Sequence, residues 1–306
     1  MLWVCALWGA DHEWARTTGP AVRVSVLQTA VLQQDKFDES KADRLWSELT
    51  YLLSRAKGVV VVAPETALPQ YLSEIPLPRL QRLADILHMK GAQLFIGVPV
   101  AHGSVVQNAV VEISGDGVTG RMHTKAALMP FGEFIPHGFE WLSPLLDIPL
   151  KNLSPSKTLP SLRLSAEGVP VGVLICHEDL DASIGRDEAK QSGLLLNPTN
   201  LAWFGTLAGE QRLQISRVRA AEVARPIVRA ANGDGSAFID HHGDLLEVAS
   251  AGPMVIEGSV RPMTGLTPFL RFGVLSTLLI VSVAQAILNV SYLVLLPSPL
   301  MGGAKA

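Results

Sequence analysis

The chain has 306 residues, of which 48% are hydrophobic, and this is enough to build a full hydrophobic core. The formal net charge of -3 and the lack of any basic run give no electrostatic footprint for nucleic acid, which excludes that class of partner. The two cysteines, Cys5 and Cys176, form no CxxC pair, so neither a disulfide framework nor a zinc site is indicated.

The N-terminal stretch MLWVCALWGA is apolar for ten residues and is followed by charged side chains. It is too short to span a membrane and has no basic residue of the kind that opens a signal peptide. We interpret residues 1–19 as an apolar remnant, either the end of a membrane helix or an interfacial anchor, followed by a linker.

Residues 20–273 alternate between strand-like and helix-like patterns, which predicts an α/β domain. Several of the predicted strands are short, continuous and apolar, as strands buried on both faces are. The predicted strands are 23–28, 58–63, 93–98, 105–113, 171–175, 194–197, 227–231 and 236–240, and the predicted helices are 41–56, 77–90 and 210–224. Residues 143–160 are rich in proline and serine and predict a long surface excursion within this domain.

Residues 274–296 form a run of 23 residues without a charge. As a helix this run would reach roughly 34 Å, enough to cross a bilayer core of roughly 30 Å. We therefore predict one transmembrane helix with Tyr292 near one end, the alternative being a buried core helix. Residues 297–306 form a short tail that carries Lys305.

Three polar residues of this run, Ser282, Gln285 and Asn289, recur at i, i+3 and i+7 and so share one helix face. Polar side chains at bilayer depth usually face other helices rather than lipid. We expect this face to contact a partner helix, in a second copy or in another chain.

Three residues of the predicted domain carry side chains that could take part in catalysis. Glu65 follows VVVVAP, Cys176 ends VGVLI, and Lys125 lies in GRMHTKAALMPFGEF. Ligands of open α/β sheets collect at the carboxyl ends of strands, and a cysteine nucleophile needs a base and a donor for the oxyanion. Each residue alone has an ordinary alternative: a small buried hydrophobe, a carboxylate near a helix start, and a solvated lysine.

Four motifs in order distinguish the chain further. They are APETALP at 63–69, KAALMPFGEFIP at 125–136, ICHEDL at 175–180, and NPTNLAWFG at 197–205. Together they resemble the nitrilase superfamily, and within it the catalytic domain of bacterial apolipoprotein N-acyltransferases, over residues 20–273. The resemblance implies a four-layer αββα sandwich and a reaction that needs no cofactor and no metal.

The same resemblance implies roles for six side chains. Glu65 would be the general base, Lys125 the oxyanion stabiliser and Cys176 the nucleophile. Glu133 and Glu178 match supporting acids of the family. Trp203 would lie in a loop that shapes substrate access.

The implied reaction moves a fatty acyl chain from a phospholipid donor to the N-terminal amine of a lipoprotein acceptor through a cysteine thioester. The implied location is the bacterial inner membrane, with the catalytic domain periplasmic. Two alternatives stay open: a membrane-tethered amidase or hydrolase of the superfamily, and a non-catalytic accessory relative.

The chain departs from the family pattern at several positions. His177 replaces a tyrosine, Leu201 stands where an aspartate is usual, and Arg212 replaces a histidine. The family's N-terminal bundle of membrane helices also has no counterpart beyond the first ten residues. These departures bear on substrate recognition more than on the chemistry.

Overall fold

The computed structural model describes residues 12–142, 153–156, 164–202 and 206–295. Within them, two six-stranded sheets pack face to face and helices cover their outer faces. The predicted α/β class is confirmed, and the layers follow the order αββα.

The elements are numbered here in chain order. The strands are β1 (Ala15–Thr17), β2 (Val22–Gln28), β3 (Val60–Val62), β4 (Gln93–His102), β5 (Val105–Ser114), β6 (Gly117–Thr124), β7 (Leu164–Ala166), β8 (Val169–Val173), β9 (Leu194–Asn200), β10 (Ile227–Asn232), β11 (Ala237–Ile239), β12 (Leu245–Val248), β13 (Met254–Val260) and β14 (Met263–Gly265). The helices are α1 (Gln33–Lys36), α2 (Ala42–Arg55), α3 (Leu77–Lys90), α4 (Ala182–Gln191), α5 (Thr206–Val223), α6 (Pro268–Phe272) and α7 (Val274–Leu295).

The two large sheets have the same arrangement of parallel and antiparallel strands. The first has the spatial order β13-β2-β3-β4-β5-β6 and the second β12-β11-β10-β9-β8-β7. In each, three neighbouring strands run parallel: β2, β3 and β4 in the first, and β8, β9 and β10 in the second. The outer strands pair antiparallel.

Alternation along β2 shows how the layers are specified. Val22, Val24 and Val26 lie in the core between the two sheets, whereas Leu27 packs in the core under α2 and α3. Successive strand residues point to opposite faces, so an apolar run such as this one supplies both cores at once.

The outer helices present apolar stripes to the sheets. In α2 the buried residues Trp46, Leu49 and Leu53 recur at helical spacing. The helix α3 ends at Gly91, whose φ of 58° lies in the left-handed region that glycine adopts without a steric penalty.

The predicted elements 41–56, 77–90 and 105–113 correspond to α2, α3 and β5 within one or two residues. The sequence analysis did not predict α4, β6, β12 and β13, nor the short elements β1, β7, β14, α1 and α6. The α4 segment ASIGRDEAKQ has few apolar residues, and β12 is exposed along its length, so neither offers a strong hydrophobic period.

The carboxyl ends of the parallel strands of both sheets meet at one edge of the sandwich. There Thr29, after β2, bridges to Asn232, at the end of β10, and its Oγ1 donates to Asn232 Oδ1 at 2.8 Å. Glu65 follows β3 and Cys176 follows β8 at this same edge, so two strand ends converge from different sheets.

At both ends of the described chain, elements lie outside the two large sheets. The predicted linker contains β1, which pairs antiparallel with β14, and residues 1–11 lie outside the described residues. Of the predicted excursion 143–160, only 153–156 are described, and Leu153 there is buried. Residues 296–306, including Lys305, are not described either.

The helix α7 covers the run that the sequence predicts to cross a membrane. The side chains of residues 276, 277, 280 and 292–295 lie outside the described part of it. Among the described residues, no helix combines the length and the hydropathy of a membrane span, so this part of the prediction is not confirmed.

Candidate active site

Glu65 is positioned by a close approach of two backbone segments. A Cβ on Gly97 of β4 would lie 2.5 Å from both Pro64 O and Thr66 N, so only glycine lets β4 pack against the Glu65 segment. Oε1 of Glu65 accepts hydrogen bonds from Lys125 Nζ and from Asn108 Nδ2, each at 2.8 Å. Its other oxygen, Oε2, accepts from the backbone N–H of Asn200 at 3.0 Å.

Lys125 follows β6 and is only 1% exposed. Besides Glu65, its ammonium donates to Glu133 Oε1 at 2.9 Å. The second oxygen of Glu133 accepts from Met129 N at 2.8 Å. The ammonium is therefore held between two carboxylates, as a desolvated charge requires.

Cys176 begins the 3-10 turn Cys176–Leu180 with a φ of 53°. This left-handed conformation is unfavourable for a residue with a side chain and persists only where the surroundings fix it. Here the carbonyl oxygen of Cys176 accepts from Asn197 Nδ2 at 3.0 Å and from Arg212 Nη2 at 2.8 Å. The thiol sulfur accepts from Thr199 Oγ1 at 3.4 Å.

Glu178 joins the cysteine turn to the lysine segment. Its Oε1 accepts from the N–H of Ala126 at 2.6 Å and of Ala127 at 3.0 Å, and its Oε2 accepts from Ile175 N at 2.7 Å. The side chain is fully buried. Glu178 thus fixes the residues that flank Lys125 and Cys176 relative to each other without facing the cavity.

A cavity of about 300 Å³ opens over these residues. Its polar wall contains Glu65, Lys125, Glu133 and Cys176, together with Asn108 and Asn200. Its apolar wall is formed by Phe37, Met129, Pro130, Phe131 and Leu153. A polar cluster under an apolar mouth is typical of a site that takes a substrate with an apolar part.

Glu65, Lys125 and Cys176 influence one another's pKa values. Burial raises the pKa of the Cys176 thiol to about 11, with the negative charge of Glu65 acting in the same direction against Lys125. For Glu65, burial acts to raise the pKa, but the charge of Lys125 and its hydrogen bond outweigh this, so the pKa lies below its ordinary value. Burial acts to lower the pKa of Lys125, yet Glu65 and Glu133 raise it overall.

At neutral pH this arrangement holds a protonated thiol, an ionised carboxylate and an ammonium. The nearby Cys176 thiol also acts to lower the pKa of the Glu65 carboxyl. A carboxylate close to a thiol can accept its proton as the sulfur attacks a carbonyl carbon. The adjacent ammonium can stabilise negative charge that develops on the carbonyl oxygen.

The structure thus brings Glu65, Lys125, Cys176 and Glu133 together around one cavity, and places Glu178 behind it. Their roles in catalysis stay predictions. Trp203 lies outside the described residues.

Sequence reasoning missed Asn108, which donates from one amide nitrogen to Glu65 and to Glu133 Oε1 at 2.9 Å. A signal was present, since Asn108 is a polar residue inside the apolar run of β5 and is 3% exposed. It also missed Lys36, whose Nζ donates to the backbone carbonyl of Glu65 at 3.1 Å. Nothing in its polar surroundings, QQDKFDES, distinguishes Lys36 from a surface lysine.

Two of the three departures have a structural account. Arg212 pairs with Asp179 and supports the Cys176 carbonyl, and Leu201 is buried. His177 lies in the 3-10 turn that Cys176 begins, and its side chain is half-buried. Burial lowers the pKa of His177.

A cluster of side chains that could ligate a metal ion occurs elsewhere among the described residues. Ligand atoms of Glu13, His241 and His242 lie within 4.8 Å of one another. None of these residues lines the cavity.

Most of the chain matches a known protein family. Residues 23–265 match the model of the carbon-nitrogen hydrolase family. An apolipoprotein N-acyltransferase of Ralstonia nicotianae is 33% identical over 270 residues, which cover 85% of this chain and 51% of that protein. One of Chromobacterium violaceum is 31% identical over 291 residues, which cover 91% and 55%. The chain therefore spans about half the length of these relatives.

Solved structures show the same fold. An amidase of the nitrilase superfamily from Nesterenkonia AN1, as a cysteine-to-alanine mutant, has a TM-score of 0.58 at 16% identity, covering 80% of this chain and 93% of that one. Nit3 of Saccharomyces cerevisiae, also of the nitrilase superfamily, has a TM-score of 0.57 at 17% identity, covering 82% and 93%. The sequence resemblance to this superfamily is confirmed.

Proposed function

This chain belongs to the carbon-nitrogen hydrolase family, and on that premise we propose that it is an acyltransferase that uses Cys176 as its nucleophile. The acyl donor would be a phospholipid and the acceptor the N-terminal amine of a lipoprotein. The observation that carries the proposal is the burial of Glu65, Lys125 and Cys176 around one cavity with an apolar wall. The names of the relatives from Ralstonia nicotianae and Chromobacterium violaceum support the choice of transfer.

In the first half-reaction, the sulfur of Cys176 attacks the ester carbonyl carbon of the donor while Glu65 accepts the thiol proton. The ammonium of Lys125 stabilises the oxyanion of the tetrahedral intermediate. The C–O ester bond then breaks, and the proton held by Glu65 passes to the leaving oxygen. A lysophospholipid departs and a thioester remains on Cys176.

In the second half-reaction, the neutral amine of the acceptor attacks the thioester carbonyl carbon. Glu65 takes a proton from the nitrogen, the C–S bond breaks, and the sulfur recovers a proton from Glu65. The products are an amide and the free thiol. Because Glu65 is ionised again after each half-reaction, one carboxylate serves both.

The apolar wall supports an acyl substrate over a small polar amide. Phe37, Met129, Phe131 and Leu153 offer apolar surface next to Cys176. Such a surface favours binding of an alkyl chain by about 0.8 kcal/mol for each buried methylene group. It also keeps water from the thioester, which water would otherwise hydrolyse.

We further propose that α7 places this site at a lipid bilayer. Apolar side chains of α7 are exposed on several sides of the helix, among them Leu275, Leu279, Leu288 and Val290. A helix that is apolar all round is normally covered by protein or lipid. The location would be the bacterial inner membrane, with the sandwich on the periplasmic side.

A partner helix for α7 belongs to the same proposal. Gln285 Nε2 donates to Asn289 Oδ1 at 3.0 Å, so these two side chains do share one face of α7, as Ser282 does by its spacing. A second helix on that face would satisfy their remaining polar atoms within lipid.

The runner-up is a membrane-tethered hydrolase of the same family, in which water replaces the amine. Acyl transfer and hydrolysis are distinguished by their products. We expect purified protein, given phospholipid and a diacylated lipopeptide, to form lysophospholipid and an N-acylated lipopeptide by mass spectrometry. Free fatty acid with unmodified lipopeptide would contradict transfer and support hydrolysis, and Cys176→Ala should form neither product.

A further inference from the structure

Lys36 brings a second buried ammonium to the candidate site. It is the last residue of the short helix α1, which follows β2, and it is 3% exposed. Its Nζ donates to the backbone carbonyl of Glu65 at 3.1 Å. Lys36 does not line the cavity, so it acts on Glu65 from behind the substrate space.

The positive charge of Lys36 interacts with Glu65 and with Cys176. Lys36 attracts the carboxylate of Glu65, which follows β3, and the Cys176 sulfur, which follows β8. Asp35, which precedes Lys36 in α1, forms its ion pair with Lys41. Lys125 and Glu133 lie beyond Glu65 in the same cluster.

The charges of the cluster balance without the thiolate. Glu65 and Glu133 supply two negative charges, and Lys125 and Lys36 supply two positive charges. When Cys176 ionises, a third negative charge appears in a buried space, where charges interact more strongly than in water. Without Lys36, the ammonium of Lys125 would be the one lysine charge left in this cluster. Arg212, whose positive charge also acts on Cys176, is itself paired with Asp179.

We propose that Lys36 is a positioning residue of this site, which holds the backbone of Glu65 and favours the ionised forms of the Glu65 carboxylate and the Cys176 sulfur. This inference rests on the proposed function only for the identity of the nucleophile.

The effect depends on pH because Lys36 is itself desolvated. Burial lowers the pKa of Lys36 to about 8, against the opposing attraction of Glu65 and Cys176. Below this pH Lys36 is charged and stabilises the thiolate. As the pH rises through it, Lys36 becomes neutral and that stabilisation is lost.

The test measures thiol reactivity rather than acyl transfer. In a full-length Cys5→Ser background, the rate of Cys176 alkylation by iodoacetamide is followed between pH 6 and pH 11 by intact mass. We expect Lys36→Met to slow alkylation at pH 7 about tenfold and to approach the parental rate above about pH 9, where Lys36 of the parent is neutral as well. We expect Lys36→Arg, which keeps the charge, to restore the rate at pH 7.

Controls separate charge from folding. Lys57→Met removes an exposed lysine and should leave the profile of the parent unchanged. If Lys36→Met does not fold, the inference is tested by comparing the pH dependence of alkylation in the parent and in Lys36→Arg. The parent should gain less than tenfold per pH unit near pH 8, where Lys36 loses its charge, and Lys36→Arg should not show this flattening.

Folded Lys36→Met with the parent's profile, or a parent and Lys36→Arg with identical profiles, would overturn the inference. Alkylation needs neither phospholipid nor lipopeptide. Slower alkylation of Lys36→Met at pH 7 together with absent acyl transfer would therefore contradict the proposed function and leave the role of Lys36 standing.

Discussion

The reactive turn at Cys176 is stabilised by a buried ionic network. Asp179 and Arg229 are fully buried, and Arg229 Nη1 donates to Asn197 Oδ1 at 2.6 Å. Asn197 and Arg212 in turn hold the Cys176 carbonyl. A buried ion pair adds little net stability over apolar packing, but removing one partner is costly. The network therefore holds the strained backbone of the Cys176 turn through its contacts with the Cys176 carbonyl.

Glu65 provides the sharpest test at the level of single residues. We predict that Glu65→Gln, which keeps the shape but cannot accept the thiol proton, lowers the rate of Cys176 acylation by about 10² to 10⁴. The measurement is the rate at which the acyl-enzyme mass appears. Glu74→Gln removes an exposed carboxylate and should retain the parental rate. Equal rates for Glu65→Gln and the parent would remove Glu65 from the chemistry.

The residues that stand in family motifs were predicted, whereas residues that reach the site only through tertiary contacts were not. Glu65, Lys125 and Cys176 stand in recognisable motifs, and the structure gathers them. Lys36 and Asn108 act through contacts across 25 or more positions of sequence, such as the Lys36 hydrogen bond to Glu65 and the Asn108 hydrogen bond to Glu133. Such contacts depend on tertiary packing, which local pattern does not encode.

At the scale of elements, a second buried titratable pair lies between α4 and β6. His123 Nδ1 lies 3.8 Å from Glu188 Oε1, and both side chains are almost fully buried. Burial raises the pKa of Glu188 to about 7 and lowers that of His123 to about 4. Both groups are therefore neutral near pH 6 in the folded protein.

The raised pKa of Glu188 predicts a pH-dependent stability. The folded protein binds the Glu188 proton more tightly than the unfolded chain, whose carboxyl has a pKa of about 4.5. This contribution to stability is full below that pH and is lost as the pH rises through about 7. We predict that Glu188→Gln, which stays neutral, raises the melting temperature at pH 8 by roughly 2 to 10 °C.

The comparison is made by thermal unfolding of both proteins at two pH values. At pH 5 the two melting temperatures should differ much less, because Glu188 then keeps most of its proton. His123 is present in both proteins, so its own titration cancels in the difference. A melting difference that is the same at pH 5 and pH 8 would contradict an elevated pKa for Glu188.

The elements themselves were predictable where apolar periodicity was strong. The stripe of α2 and the apolar run of β2 specified their type from local sequence alone. The exposed strand β12 and the polar helix α4 were not predictable in this way, because their conformation is set by pairing and packing with neighbouring elements.

For the molecule as a whole, the proposal to test is that α7 places the sandwich at a lipid bilayer. We predict that Leu279→Asp together with Leu288→Asp abolishes flotation of the full-length protein with phospholipid vesicles, since each places a charge on exposed apolar surface of α7. The melting temperature of the sandwich should not change.

A matched control uses the exposed Leu77 at the start of α3. Leu77→Asp adds a charge to the sandwich instead and should leave flotation intact. Flotation of the α7 double variant at the parental level would show that membrane contact, if any, lies elsewhere on the molecule.

The central claim is that the sulfur of Cys176 carries an acyl group between donor and acceptor. Its most direct measurement is the intact mass of the purified full-length protein after incubation with phospholipid alone and then with a diacylated lipopeptide. We predict a gain of one acyl group, located on Cys176 by peptide mapping, and its loss when the lipopeptide is added. A protein mass that never changes, or an acyl adduct that forms equally in Cys176→Ala, would contradict the account.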